Sequence, residues 1–283
     1  MAWRSSGRSN EELVENLWRL NLITNPLTKA AFLKVDRGHY APSSPYADSP
    51  QPIGHEATIS APHMHAQAVE TLLPFLLPPP KEEGEAEQSD RQSPTAAGTP
   101  DPIGQPRRPR RVLDIGSGSG YLTHVLAELV GDAGVVVGLE HIPALRDLGE
   151  RNMAKSASGR ALLSSGRVRF RVGDGRKGWS EASPGGARPG VGGAAAPSAG
   201  EEREDNKDEA GGWDAIHVGA AAAVLHEELV RQLRSPGRMF IPVAAGEDGW
   251  EQYIWVVDKD ETGKVRKERS VGVRYVPLTD APK

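Results

Sequence analysis

Three acidic side chains stand where predicted buried strands end, and their positions suit ligand binding. Asp114 precedes the loop Gly116-Ser117-Gly118-Ser119-Gly120, Glu140 ends the next strand, and Asp174 follows the third. Ligands of open α/β sheets bind at the carboxyl edge, where these positions meet. There a carboxylate such as Glu140 accepts ribose hydroxyls, and Asp174 is placed to accept from an adenine amino group. Each acid alone is also typical of a solvated strand end, but the three together predict a nucleoside-binding edge.

The glycine-rich loop discriminates between cofactor classes. A dinucleotide fingerprint needs G-x-G-x-x-G, and Tyr121 occupies the position of its third glycine. Asp114 would repel a pyrophosphate, whereas a cofactor that carries a sulfonium and an amino acid group suits an acidic loop. The loop, with Gly116 and Gly118, therefore predicts a site for S-adenosyl-L-methionine and disfavours a nicotinamide dehydrogenase.

A serine and two histidines form a second candidate site upstream. Ser60-Ala61-Pro62 predicts a helix start with Ser60 as N-cap, since serine caps helices and proline suits the first turn. The free N–H groups and the helix dipole favour an anion there, and His63 and His65 add donors. From spacing alone, an ordinary N-cap is the favoured explanation for the serine. A metal site lacks a third ligand, and a covalent serine nucleophile lacks a G-x-S-x-G turn.

Alternating strand and helix patterns predict a parallel sheet with helices on both faces. The predicted strands are Val112–Ile115, Val135–Leu139, Val168–Val172, Trp213–Val218, Arg238–Val243, Gln252–Asp258 and Val271–Val276. The predicted helices among them are Leu122–Val130, Ala144–Ala154 and Ala223–Leu233. The last two strands have no helix between them, which favours an antiparallel hairpin.

The segment before residue 78 predicts a helical extension. Ser9-Asn10-Glu11-Glu12 is a capping-box pattern that opens one helix, and a second helix covers Leu27–Val35. The proline-rich segment from Asp36 to Ile59 is expected to be irregular. The fold class is therefore α/β: a doubly wound, mostly parallel sheet of the S-adenosylmethionine-dependent methyltransferase (Rossmann-like) type, with an antiparallel C-terminal strand and an N-terminal helical extension.

Composition divides the chain into folded and unfolded parts. The 283 residues include 32 glycines and 23 prolines, which is high for a compact enzyme. Residues 78–109 and 181–212 lack an apolar period, so we predict two disordered insertions. The folded regions are then an N-terminal helical substrate-binding region (1–77), a cofactor-binding half (110–180) and a second half (213–283).

Charge and cysteine content restrict partners and location. The net charge of −4 argues against a nucleic-acid binder, and the basic run Arg107–Arg111 is interpreted as a solvated linker. The chain has no cysteine, hence no disulfide and no thiol catalysis. It has no apolar run of about 18 residues and no signal peptide. We expect a soluble cytoplasmic monomer without membrane or nucleic-acid partners.

Several segments resemble the protein-L-isoaspartate (D-aspartate) O-methyltransferases. The most specific lie upstream of the glycine loop, and the opening Met1–Ser5 is typical of the eukaryotic branch. The upstream runs are Asp36–Tyr40, Pro45–Gln51 and Ala57–His65, and the others are Leu163–Val168, Gly173–Arg176, Asp214–Ala221 and Tyr275–Thr279.

The resemblance implies a protein-repair enzyme that moves a methyl group from S-adenosyl-L-methionine to the free carboxylate of L-isoaspartyl or D-aspartyl residues in damaged proteins. The ester then collapses to a succinimide, which hydrolyses partly to aspartate. The alternatives are another S-adenosylmethionine-dependent methyltransferase, or a non-catalytic cofactor-binding interaction protein.

The resemblance also assigns residues. Ser60 matches the active-site serine, and Ser60, Ala61, His65 and Val276 are expected at the substrate. The matched cofactor positions are Ala57, Thr58, Ile59, Ser60, His65, Asp114, Ser119, Glu140, Asp174, Gly175 and Thr279. A carboxylate is already ionised at neutral pH, so no general base is needed and Ser60 is expected to position the substrate.

Overall fold

The strand patterns downstream of residue 110 form one seven-stranded sheet. The computed structural model describes residues 4–78, 108–180, 211–245 and 251–279, and the predicted insertions lie almost entirely outside these ranges. The helices are Asn10–Arg19 (α1), Pro26–Lys34 (α2), Pro62–Leu76 (α3), Tyr121–Leu129 (α4), Pro143–Met153 (α5), Ala157–Ser164 (α6) and Glu227–Gln232 (α7). The strands are Gln51–Gly54 (β1), Ala57–Ile59 (β2), Arg111–Ile115 (β3), Val135–Glu140 (β4), Val168–Val172 (β5), Trp213–Val218 (β6), Leu233–Ala245 (β7), Glu251–Lys259 (β8) and Val265–Val273 (β9).

The strand order places a crevice beside β3. The order is β5-β4-β3-β6-β7-β8-β9, parallel from β5 to β7, with antiparallel pairing of β7 with β8 and of β8 with β9. The chain winds from β3 to β4 on one side and reaches β6 on the other, so β3 lies at the switch point where such sheets bind ligands. Every residue of β3 and β6 is buried, as expected for strands covered on both faces.

Two downstream elements differ from the sequence prediction. The last strand is β9, Val265–Val273, rather than Val271–Val276. Its residues are mostly exposed, so it has no apolar alternation to locate it. Helix α7, Glu227–Gln232, is shorter than the predicted Ala223–Leu233, and Leu233 already belongs to β7. Ala221 and Ala222, just before the predicted start, form bridges to Pro277 and Val243.

The segment predicted to be irregular contains an antiparallel hairpin of β1 and β2. Its turn places His55 and Glu56 at positive φ, which non-glycine residues rarely adopt, so the sequence carries no clear hairpin signal. A Cβ added at Gly118 would lie 3.3 Å from Cδ1 of Ile53. The hairpin therefore packs directly against the glycine loop.

The start of α3 also differs from the prediction that Ser60 is its N-cap. Ala61 occupies the cap position, Pro62 begins the helix, and no side chain of the cap residue accepts a hydrogen bond. The carboxylate of Asp48 instead accepts from the backbone N–H of His63 at 2.9 Å. A residue distant in sequence therefore caps this helix.

The predicted N-cap of α1 is confirmed, since Oγ of Ser9 accepts from the backbone N–H of Glu12. The reciprocal half of the predicted capping box is absent. The Glu12 carboxylate accepts from the backbone N–H of Arg8 instead.

The described end of the basic run, residues 108–111, contacts the folded domain rather than forming a solvated linker, and Arg107 lies outside the described residues. Asp214, which is fully buried, accepts from the backbone N–H of Arg111 at 2.8 Å and from Nη1 of Arg110 at 3.3 Å. Arg111 also packs over the ring of Trp213. The charges are thus held at the edge of the sheet opposite the crevice. None of the helices in the described ranges is long and apolar enough to span a membrane.

Candidate active site

A cleft of about 170 Å³ lies at the carboxyl edge of the sheet. Its walls come from the β1–β2 hairpin, the ends of β3, β4 and β6, and the segment after β9. Eight of the predicted site residues line it: Ala57, Thr58, Gly116, Gly118, Glu140, Gly175, Val276 and Thr279. Its described lining includes no lysine or arginine. The cleft therefore suits an uncharged nucleoside better than a pyrophosphate.

A smaller cavity of about 30 Å³ adjoins the cleft. It is lined by five further predicted residues, Ile59, Ser60, His65, Asp114 and Ser119. Thr58, Gly116 and Gly118 line both spaces, so the two share a wall. A volume of this size holds only one or two water-sized atoms. It matches the oxygens of a carboxyl group rather than a nucleoside.

The glycine loop is shaped by close backbone contacts. Gly116, Gly118 and Gly120 all have positive φ. A Cβ at Gly120 would lie 2.8 Å from the carbonyl oxygen of Gly149, so only glycine fits there. The Oγ of Ser117 is buried without a partner among the described residues, and Ser117 lines the smaller cavity. The loop thus places the Ser117 hydroxyl where a ligand in the smaller cavity would meet it.

Glu140 fastens the loop to the end of β4. One carboxylate oxygen accepts from the N–H of Gly118 at 3.0 Å, and the other from the N–H groups of His141 and Ile142 at 2.8 and 3.2 Å. The side chain is almost fully buried and lines the cleft. Oε1 also lies 2.9 Å from Nδ1 of His141 and has no lone pair left, whereas Oε2 accepts only from Gly118 and retains one lone pair for a ligand hydroxyl.

Asp114 is held from both sides beneath the smaller cavity. Its Oδ2 accepts from Oγ1 of Thr123 at 2.6 Å, and its Oδ1 lies 2.7 Å from Nδ1 of His217. Asp114 is 1% exposed. Thr123 and His217 were not among the predicted site residues. The position of His217 near the carboxyl end of β6 could have indicated that it belongs to the site.

Asp174 accepts from Arg176 rather than lining either cavity. Three hydrogen bonds of 2.8–3.0 Å join its carboxylate to the backbone and guanidinium of Arg176. These bonds lower the pKa of Asp174, against a smaller effect of burial. Gly173 and Gly175 on either side do line the cleft. Ala61 also lies outside both cavities, since it is buried at the start of α3.

Ser60 and His65 meet a buried arginine. Nη2 of Arg37 donates to the carbonyl of Ser60 at 2.7 Å, and Nη1 lies 3.3 Å from Nδ1 of His65. The hydroxyl of Ser60 makes no hydrogen bond to any residue in the described ranges. Burial, reinforced by the charges of Arg37, His217 and His63, lowers the pKa of His65 well below its usual range. The site therefore offers a free hydroxyl and a neutral imidazole.

The sheet order and the nucleoside-type cleft at its switch point define the chain as a methyltransferase of the S-adenosyl-L-methionine-dependent class. A sequence model of the protein-L-isoaspartate(D-aspartate) O-methyltransferases matches residues 8–79, 106–211 and 198–283. The chain belongs to this family, and the predicted family and fold class are confirmed.

Relatives match over nearly the whole chain. The protein-L-isoaspartate O-methyltransferase of Caenorhabditis elegans is 38% identical, over 99% of this chain and 96% of its own length. Protein-L-isoaspartate O-methyltransferase 1 of Arabidopsis thaliana is 36% identical, over 97% of this chain and 93% of its own length. A Plasmodium falciparum family structure in complex with S-adenosyl-L-homocysteine has a TM-score of 0.69 at 28% identity, covering 96% of this chain and 99% of that chain.

Proposed function

We propose that this chain methylates the free carboxylate of L-isoaspartyl and D-aspartyl residues in damaged proteins, with S-adenosyl-L-methionine as donor. One observation carries the proposal: the small cavity with Ser60, His65 and Asp114 adjoins the cleft, and Thr58, Gly116 and Gly118 line both spaces. A carboxyl group in the former is then adjacent to a nucleoside in the latter. Family membership supports the substrate class.

The cofactor suits the cleft on the chemistry of its walls. Glu140 offers an acceptor oxygen for a ribose hydroxyl, and the described lining is otherwise largely apolar and free of cationic side chains. Gly116, Gly118, Gly175 and Thr279 would surround it. When bound, the cofactor supplies an electrophilic methyl group, which a carboxylate oxygen accepts as the carbon–sulfur bond breaks to leave S-adenosyl-L-homocysteine.

The protein's own contribution is orientation. A carboxylate is ionised at neutral pH, so no side chain has to remove a proton. The free hydroxyl of Ser60 donates a hydrogen bond to the substrate carboxylate, and His65 lines the same cavity. Holding the acceptor oxygen in line with the methyl group replaces a bimolecular search by a fixed geometry. The methyl ester then cyclises to a succinimide outside the enzyme's direct control.

The experiment is transfer of labelled methyl to a peptide that contains one L-isoaspartyl residue, with the matching L-aspartyl peptide as control. We expect strong labelling of the first and background labelling of the second. Equal labelling would indicate a methyltransferase with another acceptor. Absence of labelling together with tight binding of S-adenosyl-L-homocysteine would indicate a non-catalytic binding protein.

We further propose that the enzyme acts as a cytoplasmic monomer on protein substrates and does not bind nucleic acid. The net charge of −4 is unfavourable for nucleic-acid phosphates. Light scattering of the purified protein tests the monomer, and a dimer mass would contradict it.

A further inference from the structure

A buried guanidinium contacts two of the residues that line the small cavity, Ser60 and His65. Arg37 is fully buried, and its two terminal nitrogens contact the Ser60 carbonyl and Nδ1 of His65. In the described part of the chain, no carboxylate lies within ion-pair distance of it. Burial lowers the pKa of Arg37 to about 10, so it remains a cation at neutral pH. The charge of Asp48 acts on Arg37 from beyond ion-pair distance and partly opposes this shift, but burying a cation without a direct ion pair remains costly.

Arg37 is held from both sides. Its backbone N–H donates to Oδ1 of Asn10 at 3.2 Å, which ties it to α1. Its guanidinium carbon lies 5.1 Å from the ring centre of Tyr121, the first residue of α4 after the glycine loop. The guanidinium therefore has a fixed position between the N-terminal helices and the cofactor loop.

The contact with His65 determines where the imidazole carries its proton. An arginine has only donors, so Nδ1 of His65 must accept and the proton must reside on Nε2. His65 lines the small cavity, and its Nε2 makes no hydrogen bond to any described residue. The charged or titratable groups around the ring are Arg37, Tyr121, His217 and His63, with Asp114 in the same cavity. Burial, together with the charges of Arg37, His217 and His63, lowers the pKa of His65 well below its usual range and keeps the ring neutral.

We propose that Arg37 is a positioning residue, which holds His65 as the Nε2–H tautomer and fixes the Ser60 backbone so that both side chains donate to one carboxylate. The identity of the bound carboxylate rests on the proposed function, whereas the His65 tautomer and the contacts of Arg37 do not. The carboxylate belongs to the isoaspartyl residue or to the amino acid group of the cofactor, and the experiments below distinguish these sources.

The tautomer is measured directly on the wild-type protein by ¹⁵N NMR of labelled histidine, with S-adenosyl-L-homocysteine bound. The His65 signals are assigned by their loss in His65→Asn. We expect an unprotonated Nδ1 and a protonated Nε2, unchanged between about pH 5 and pH 8. An Nδ1–H tautomer, or an imidazolium that forms within this range, would overturn the proposal. The measurement needs no turnover, so it stands even if isoaspartyl methylation is not found.

Two variants of His65 separate the donor from the contact with Arg37. Asparagine places a polar group near the former Nδ1 and leaves the cavity without a donor, whereas glutamine places an amide near the former Nε2. We expect His65→Asn to lower affinity for one carboxylate by about tenfold, and His65→Gln to lose less. A rise in KM for the isoaspartyl peptide identifies the substrate carboxylate. A rise in Kd for S-adenosyl-L-homocysteine identifies that of the cofactor. If neither constant changes, the donor role is wrong.

Arg37 itself is tested by Arg37→Lys, because lysine keeps the charge but cannot span both acceptors as a planar fork. We expect kcat/KM to fall by about 10- to 100-fold, together with loss of the single His65 tautomer. Arg160→Lys is the control, since the guanidinium of this arginine on α6 also has two acceptors, both of them backbone carbonyls, but lies outside both cavities. A folded Arg37→Lys protein with wild-type kinetics and an unchanged tautomer would refute the assignment. If Arg37→Lys does not fold, the ¹⁵N spectrum of the wild-type protein and the two His65 variants still test the proposal.

Discussion

The backbone carbonyl and the side-chain hydroxyl of Ser60 have different roles. Its carbonyl accepts from Arg37, while its hydroxyl has no protein partner in the described ranges and belongs to a residue that lines the small cavity. A hydroxyl needed only as a helix cap would be bonded to a backbone N–H of α3, and that bond is absent. The residue is therefore placed to meet a ligand.

Replacing Ser60 with alanine should reduce turnover more than cofactor binding. Loss of one donor to the substrate carboxylate is expected to lower kcat/KM by about 10- to 100-fold. Affinity for S-adenosyl-L-homocysteine, measured by calorimetry, should change little. Ser164→Ala, an exposed serine on α6, is the control. A large loss of S-adenosyl-L-homocysteine affinity with normal turnover would contradict the assigned role.

Glu140 should act on the cofactor side. Glu140→Gln removes the charge that accepts from three backbone N–H groups and from the proposed ribose hydroxyl. Because hydrogen bonds to charged groups contribute about 1.5–3 kcal/mol, we expect the Kd for S-adenosyl-L-homocysteine to rise at least tenfold. Glu150→Gln, on the exposed side of α5, removes the same charge away from the cleft. Equal Kd values for both variants would exclude a role for Glu140 in binding.

At the scale of elements, α3 depends on a residue outside it. Asp48, which is 4% exposed, accepts from the backbone and ring of His63 and from Ser5. Burial tends to raise the pKa of Asp48, but the hydrogen bonds from His63 and Ser5 outweigh it and hold the pKa below its usual value. The carboxylate thus caps the helix that presents His65.

Asp48→Asn should destabilise the fold in a pH-dependent way. A carboxyl whose pKa is lowered by folding stabilises the protein above its unfolded pKa of about 4, and this contribution is lost as the pH falls through the folded pKa. We expect the variant to lose about 1–2 kcal/mol in urea unfolding at pH 7, with a smaller difference near pH 3. Asp147→Asn, exposed on α5, is the control. A difference that does not vary with pH would argue against the ionised cap.

The elements show what the sequence could and could not predict. Glu140, at the end of β4, lines the cleft and Asp114, at the end of β3, lines the adjoining cavity; strand periodicity and the glycine loop are local signals that predict these positions. The β1–β2 hairpin was missed, since its turn uses His55 and Glu56 at positive φ. The cap of α3 and the partners of Arg37 depend on residues far apart in sequence. Such contacts are set by tertiary packing, which local patterns do not encode.

Across the whole molecule, the carboxyl ends and the amino ends of the parallel strands have different roles. The carboxyl edge holds the cleft, and the opposite edge holds a charged cluster around Asp214. Besides Arg110 and Arg111, this carboxylate accepts from Nη1 of Arg234 at 2.6 Å, which joins the starts of β3, β6 and β7. Two arginines of the run predicted to be a linker, Arg110 and Arg111, therefore join Arg234 in holding three strands together through Asp214.

Asp214→Asn should therefore cost stability without altering the site. Removing one member of a buried charge cluster leaves uncompensated cations, and we expect a loss of about 3–5 kcal/mol in urea unfolding. Asp258→Asn is the matched control, because Asp258 also binds an arginine, Arg238, but its side chain is 34% exposed. That exposed pair should contribute about 0–1 kcal/mol. The Kd of folded Asp214→Asn protein for S-adenosyl-L-homocysteine should equal that of the wild type. Equal destabilisation by the two variants would show that Asp214 does not hold the strands together.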